Sequence, residues 1–232
     1  MTDGICCSII IPVLNEAGAL PDTLRQLQSW RQAGHEVIVV DGGSDDGGLA
    51  LSVANVDQCL GADRGRALQM NLGASQAKHD WLIFLHADTE LPATAMPVMQ
   101  AIFSDPNTVW GRFDINLSGR SRLLAVIAWF MNTRSRLTGI ATGDQAIFVR
   151  KSDFIKVGSF PAIALMEDIE LSSTLKQLAK PVCLSERVIS SGRRWEHNGV
   201  VRTVFKMWLL RFRYFLGSRP DVLEKEYNRG TG

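Results

Sequence analysis

Three short runs of almost unbroken apolar residues, each ending in acid- or glycine-bearing sequence, constrain this chain more than any other feature. They are residues 5–13 (ICCSIIIPV), 36–40 (EVIVV) and 81–85 (WLIFL). Runs this short and this rich in branched residues suit strands covered on both faces, as in parallel sheets. Between them, Leu20, Leu24 and Leu27 recur at helical spacing behind a helix-start signal at Asn15 and Glu16, and residues 66–77 read as a further helix. A short helix at 49–54 and a brief strand at 57–60 fill the interval. The alternation of buried strand, loop and helix predicts an α/β fold with a mainly parallel, doubly wound sheet flanked by helices. Ligands of such sheets bind outside the carboxyl ends of the strands, which puts Asp41 and Asp88 on one rim.

The second half is less regular: a strand at 109–115, a helix at 123–137, a strand at 145–149, a helix at 166–179 and a strand at 182–184. A chain of 232 residues can bury one large core without disulfides. The four cysteines have no CxxC spacing, which fits reduced thiols in a cytoplasmic protein. The net charge of +1 argues against a nucleic-acid binder with a strong overall field. Asp3 stands where a secretory leader would be basic, and no apolar run approaches the roughly 20 residues of a spanning helix.

Near the end, Val201, Val204, Phe205, Trp208, Leu209, Phe212, Phe215 and Leu216 form a helical stripe among Arg202, Lys206, Arg211, Arg213 and Arg219. Such a basic amphipathic helix either docks on the protein's own core or on a second subunit, or lies in a membrane interface. The expected division is therefore a catalytic domain over 1–198 and a basic amphipathic helix and tail over 199–232.

Four blocks carry the chemistry: SIIIPVLNE at 8–16, VIVVDGGSDDG at 37–47, WLIFLHADT at 81–89 and MEDIEL at 166–171. Asp88, at a strand end, offers the hard oxygen that Mg²⁺ or Mn²⁺ favours. Taken together and in this order, the blocks resemble the family 2 inverting glycosyltransferases, whose domains adopt the GT-A fold. The resemblance implies a sugar moved from a nucleoside-diphosphate sugar, UDP-linked by preference, to an acceptor hydroxyl with Mg²⁺ or Mn²⁺ as cofactor. It also implies that Pro12, Asn15 and Glu16 embrace the nucleotide and that Asp41 accepts a hydrogen bond from the base. The bland readings of the same residues are a strand terminator, a helix cap, a first-turn acid and a turn aspartate.

The third block departs from the family's DxD pattern, with His86 in the first position and Asp88 in the second. Asp88 keeps the implied metal role; His86 either ligates metal, bonds the nucleotide or finishes the strand. Ala87 between them counts among the nucleotide-sugar contacts. Arg64 and Arg66, before a helix, suit a diphosphate clamp or solvated surface positions. Glu167 and Asp168 are similar to the family's acidic pair, with Asp168 as general base toward the acceptor; the bland reading is a charge-favoured first helical turn. Gly143, Asp144 and Gln145 are expected on the acceptor side. Arg193, Arg194 and Trp195 match only part of the QxxRW motif of processive members, because Ser191 replaces its Gln. They are candidates for diphosphate contact and sugar stacking. The acceptor is not legible; a lipid-linked one gains weight if the basic helix meets a membrane. Competing readings are a sugar-phosphate nucleotidyltransferase and a non-catalytic nucleotide-sugar-binding protein.

Overall fold

The computed structural model describes residues 4–48 and 53–228. Its strands are β1 (Cys7–Val13), β2 (Glu36–Asp41), β3 (Gln58–Gly61), β4 (Trp81–Phe84), β5 (Thr89–Glu90), β6 (Trp110–Ser118), β7 (Phe148–Arg150) and β8 (Val182–Ser191). They form one sheet in the order β3-β2-β1-β4-β7-β6-β8-β5. Pairings β1–β2, β1–β4, β2–β3 and β6–β8 are parallel; β4–β7, β6–β7 and β5–β8 are antiparallel. The parallel part thus holds the first half of the chain, and β7 reverses direction to join it to the β6–β8 pair.

The expected runs are strands because both of their faces are covered. Ile9, Ile11, Val37, Val39 and Ile83 pack in one cluster with Leu20, Leu24 and Leu27 of α1 (Leu20–Gln32). Their alternates Ile10, Ile38, Val40, Leu82 and Phe84 pack in another with Ala67, Met70 and Ala74 of α2 (Arg66–Gln76). This period-two division is what a doubly wound sheet requires of a continuous apolar run. At Gly73 of α2 a Cβ would fall 2.5 Å from the Ile10 side chain, so helix and strand touch backbone-close there.

Several boundaries differ from expectation. The first strand begins at Cys7 rather than residue 5. The helix expected at 49–54 falls mostly outside the described residues, and Val53–Asn55 is a 3-10 turn. The strand expected at 145–149 is preceded by a second 3-10 turn, Gly143–Gln145, and begins at Phe148. The strand read as 182–184 runs on to Ser191 because its continuation is half-exposed and alternating, which hides it from a search for apolar runs.

The expected helix at 123–137 is α4 (Leu123–Thr138), and that at 166–179 is α6 (Glu167–Leu178). Helices α3 (Ala95–Ser104), α5 (Lys151–Lys156), α7 (Arg193–Asn198) and α9 (Pro220–Asn228) were not read from the sequence. The C-terminal stripe lies on α8 (Val200–Phe215). It does not dock on the core: Val201, Phe205, Trp208, Leu209, Phe212, Phe215 and Leu216 are exposed, and core docking is corrected accordingly. The helix is instead held from its other side, where Leu210, Met207 and Tyr214 meet Met166 and Ile169 of the α6 start and Leu223 of α9.

Candidate active site

Parallel strands β1, β2 and β4 end together, so the loops after Val13, Asp41 and Phe84 share one rim. Buried Gln69 of α2 ties the first two ends: its Nε2 donates to the carbonyls of Val13 at 2.7 Å and Val40 at 2.8 Å. The Gly42 N–H closes the rim with a 2.9 Å bond to Val13 O. No sequence motif points to Gln69; the signal is a lone amide on the apolar face of a helix.

Asp41 organises the turn that follows it. Its carboxylate accepts from the N–H groups of Gly43 and Ser44 and from the Ser44 hydroxyl. The β1 and β2 loops are then stitched together. Asn15, in a left-handed conformation at φ 57°, donates its N–H to Ser44 Oγ and accepts from Asp45 N–H. Asp46 accepts from Ala17 and Gly48 N–H. Asn15 and Asp41 therefore have structural partners in the loop wall, whatever ligand they also meet. Pro12 is buried inside β1, and Ala87 is buried with its carbonyl accepting from Thr23 Oγ1. Both side chains shape the rim from within.

Across the rim, His86 Nδ1 lies 3.1 Å from Asp144 Oδ1. A Cβ on Gly143 would fall 2.6 Å from His86 Nε2, so glycine lets the 3-10 turn press against the ring. The same turn holds Asp168, whose Oδ2 accepts the Gly143 N–H at 2.8 Å while Oδ1 accepts the Ile169 N–H at 2.8 Å. Three residues, Gly143, Asp144 and Gln145, thus join the first position of the HAD block to the acidic pair. The helix of that pair starts from Met166 in the left-handed region, φ 72°, a conformation costing about 1 kcal/mol or more for a non-glycine residue.

These groups lie near enough to act on one another's charge. Burial raises the Glu16 carboxyl, with Asp88 repelling it further and Arg193, Arg66 and His86 opposing. Burial, followed by repulsion from Asp168, pushes Glu167 up to about 7, with Arg66 and His86 again opposing. Arg66 and His86 therefore lie near both Glu16 and the acidic pair. Glu16 and Asp88 are carboxylates close enough to repel one another, and the Asp88 carboxylate has no hydrogen bond among the described residues. That donor set fits a hard divalent cation. Among the described residues no three His, Cys, Asp or Glu side chains converge on a metal position.

Arg64 is exposed and has no hydrogen bond or ion pair to this rim among the described residues. Arg193 is oriented by Ser191, whose Oγ accepts from its Nε at 2.9 Å and its N–H at 3.3 Å. The serine in place of the expected Gln thus holds the arginine. Arg194 lies in α7, its side chain outside the described residues. Trp195 packs partly buried against the sheet core.

Behind the acidic pair runs a polar network that sequence motifs did not announce. Buried Asn132 of α4 exchanges both amide bonds with the backbone of Ile115 in β6, at 2.8 and 2.9 Å. Fully buried Arg112 bonds Asp114, which also accepts from Arg136 at 2.8 Å. Gln145 reaches Asn132 Oδ1 and so ties this network to the turn under His86. A cleft of about 390 Å³ opens beside it, bounded in part by Trp129, Asn132, Arg136 and Arg187. Further out, the Tyr214 hydroxyl of α8 donates to Glu170 of α6.

The fold and the motifs have counterparts. The chain is similar in fold to S. aureus TarS in complex with UDP-GlcNAc (TM-score 0.66, 16% identity, 82% of this chain and 59% of that one). It also resembles the mannosyltransferase PcManGT from Pyrobaculum calidifontis in complex with GDP-Man and Mn2+ (TM-score 0.64, 18% identity, 96% and 69%). The expected GT-A architecture is thus found.

In sequence, the chain is 34% identical over 162 residues to the undecaprenyl-phosphate 4-deoxy-4-formamido-L-arabinose transferase of Pseudomonas fluorescens (strain Pf0-1), over 62% of this chain and 46% of that protein. It is 39% identical over 93 residues to a PGL/p-HBAD biosynthesis glycosyltransferase of Mycobacterium bovis (strain BCG / Pasteur 1173P2), over 36% of each. The chain spans about half the length of the first of these relatives. The family model described as Glycosyl transferase family 2 matches residues 8–157, well over half of the chain, and the chain belongs to that family.

Proposed function

We propose that the chain transfers a glycosyl group, with inversion and with the help of Mg²⁺ or Mn²⁺, from a nucleoside-diphosphate sugar to an acceptor hydroxyl. The observation that carries this reading is the proximity of Asp88, Arg193, Arg66 and His86 to Glu16, with Arg66 and His86 acting also on Glu167 beside Asp168. The β1 and β2 loops, with Asp41, receive the nucleoside. Asp88, with Glu16 or His86 beside it, would hold the cation. When bound, the cation offsets charge developing on the leaving diphosphate. Arg66 and Arg193 add positive charge on the same side.

Asp168 takes the proton of the acceptor hydroxyl as it attacks. Its two backbone hydrogen bonds fix the carboxylate without neutralising it. Glu167, pushed up to about 7 by burial and then by Asp168, is protonated in about half of the molecules at neutral pH, which lowers the repulsion beside that base. Attack from the face opposite the diphosphate inverts the anomeric centre. Residues 1–198 carry this chemistry. Residues 199–232 present the exposed α8 stripe to a membrane surface, which fits a lipid-linked acceptor like the one named for the Pseudomonas relative. The GDP-Man and Mn²⁺ in complex with PcManGT and the UDP-GlcNAc in complex with TarS support a nucleotide sugar as the donor class and Mn²⁺ as a suitable cation.

The test is nucleoside diphosphate release from a panel of UDP-, GDP- and dTDP-sugars, with Mn²⁺, with Mg²⁺ and with chelator. Metal-dependent release from one donor class is the expected result. Pyrophosphate formed from a nucleoside triphosphate and a sugar phosphate would instead identify a nucleotidyltransferase. Metal-dependent binding with no release, under every acceptor extract supplied, would identify a binding protein.

A further inference from the structure

Arg134 of α4 lies near enough to Arg211 of α8 and to Asp168 for their charges to act on it, and the donor chemistry proposed above uses neither arginine. Arg134 Nη2 and Arg211 Nε are buried and have no hydrogen-bond partner among the described residues. Neither guanidinium lies within ion-pair distance of a described carboxylate, although Arg112, Arg136, Arg213 and Arg219 all do.

Their position follows from packing. Leu210, next to Arg211, is buried against Met166 and Ile169, the residues that bracket Glu167 and Asp168. Tyr214, one turn on from Arg211, bonds Glu170. On α4, Arg134 lies two residues beyond the buried Asn132. Burial and the Arg211 charge hold Arg134 down to about 10, while Asp168 acts in the opposite sense.

Two part-buried guanidiniums with orphaned N–H groups are unfavourable unless an anion completes them. The planar fork of arginine matches the oxygens of a phosphate, and two forks can share one phosphate. Exposed apolar side chains flank both arginines: Trp129, Phe130 and Leu137 on α4, and Trp208, Leu209 and Phe212 on α8.

We propose that Arg134 and Arg211 bind a phosphate group carried by the acceptor, which places the acceptor's hydroxyl at Asp168. The substrate class is therefore a phosphorylated acceptor. The inference rests on the transferase reading, because it concerns that reading's second substrate. It adds that Arg134 and Arg211 discriminate among acceptors without contributing to donor binding.

The test uses the full chain with two probes, inorganic phosphate and dodecyl phosphate, and the neutral dodecyl maltoside as control. Titration calorimetry is run on wild type, Arg134→Gln, Arg211→Gln and the two Lys variants. The expected result is that each Gln variant weakens dodecyl phosphate binding by about tenfold or more, the loss of a charge-assisted hydrogen bond, and that the Lys variants retain part of it. Inorganic phosphate should compete. Dodecyl phosphate binding tighter than inorganic phosphate assigns the group to a lipid headgroup, and equal affinities assign it to a soluble phosphorylated acceptor.

Without probe, the Gln variants should melt at or above the wild-type temperature, because an unpaired charge has been removed. Binding unchanged in both Gln variants, or a probe that phosphate does not displace, would overturn the inference. So would Gln variants that melt lower and keep wild-type phosphate affinity, since the arginines would then be structural. Nucleotide-sugar binding with Mn²⁺ is measured on the same samples. Its absence in wild type counts against the transferase reading and leaves the phosphate result standing on its own.

Discussion

The two halves of the sheet are built by different means. In the half proposed to receive the donor, β1, β2 and β4 are parallel, buried on both faces and closed by loops that bond mainly to one another. In the half proposed to receive the acceptor, the β6–β8 pair carries a buried polar network, a register jump between Arg112 and Asp114, and two helices, α4 and α8, with exposed aromatic faces. The first half is a frame in which hydrophobic burial does most of the positioning. The second holds its groups through specific hydrogen bonds between residues far apart in the chain. A rim that must receive a common donor can be rigid and generic, whereas a side that selects an acceptor needs residues of its own.

The largest separation between the halves is expected from loss of the carboxylate at the donor rim. Asp88→Ala should reduce metal-dependent binding of the nucleotide sugar by about tenfold to a hundredfold, the scale of a lost charged contact. Calorimetry with and without Mn²⁺ reads this directly. Equal affinity in the variant, with metal dependence retained, would move the cation to another residue.

Next come the two buried amides, one in each half. Gln69→Leu leaves the Val13 and Val40 carbonyls without these partners, and Asn132→Leu does the same to both backbone groups of Ile115. Each should cost about 2–4 kcal/mol by denaturant unfolding. Their functional effects should differ: Gln69→Leu weakens nucleotide binding, whereas Asn132→Leu lowers turnover with donor affinity near wild type. The same functional effect from both would dissolve the distinction between the halves.

How far each half was legible in sequence follows from the same physics. A doubly buried parallel strand needs an unbroken apolar run, so residues 36–40 and 81–85 announced themselves, with Asp41 and the HAD block at their ends. The strand now ending at Ser191 alternates polar and apolar because one face is open, and only its first three residues were read. Gln69, Asn132 and the Asp144–His86 contact were invisible because each acts through a partner distant in sequence, and Arg134 because only the fold shows that its guanidinium is left without one. Periodicity found the α8 stripe but not its direction, since an apolar stripe reads alike whether it faces a core or the solvent. The partial burial of Trp195 was hidden for a related reason: a motif names a residue type, and packing decides where the ring goes.

A smaller effect concerns Glu167. Its carboxyl is raised from about 4.5 to about 7, first by burial and then by Asp168. The folded protein therefore holds this proton more tightly than the unfolded chain, and stability is lost as pH rises through that window. Glu167→Gln should be about 1–3 kcal/mol more stable than wild type near pH 8, with the difference vanishing near pH 4. Urea melts at the two pH values check this, and a variant less stable at both would mean that the carboxylate makes a bond the glutamine cannot. The smallest effect on stability is expected on the outer face of α8. Phe205→Ser with Trp208→Ser should change unfolding free energy by no more than about 1 kcal/mol, yet reduce sedimentation with anionic phospholipid vesicles several-fold. Unchanged sedimentation would remove the membrane from the account of α8.

The central claim is that the donor rim binds while Asp168 performs the proton transfer across the same opening. The most direct measurement is donor affinity and turnover on one sample of Asp168→Asn, with the donor that the panel identifies. The account predicts Mn²⁺-dependent donor affinity within about twofold of wild type and turnover to acceptor lower by about 10²–10⁴-fold, the scale of a lost general base. Turnover that survives the substitution, or a loss that lies wholly in donor binding, would contradict it.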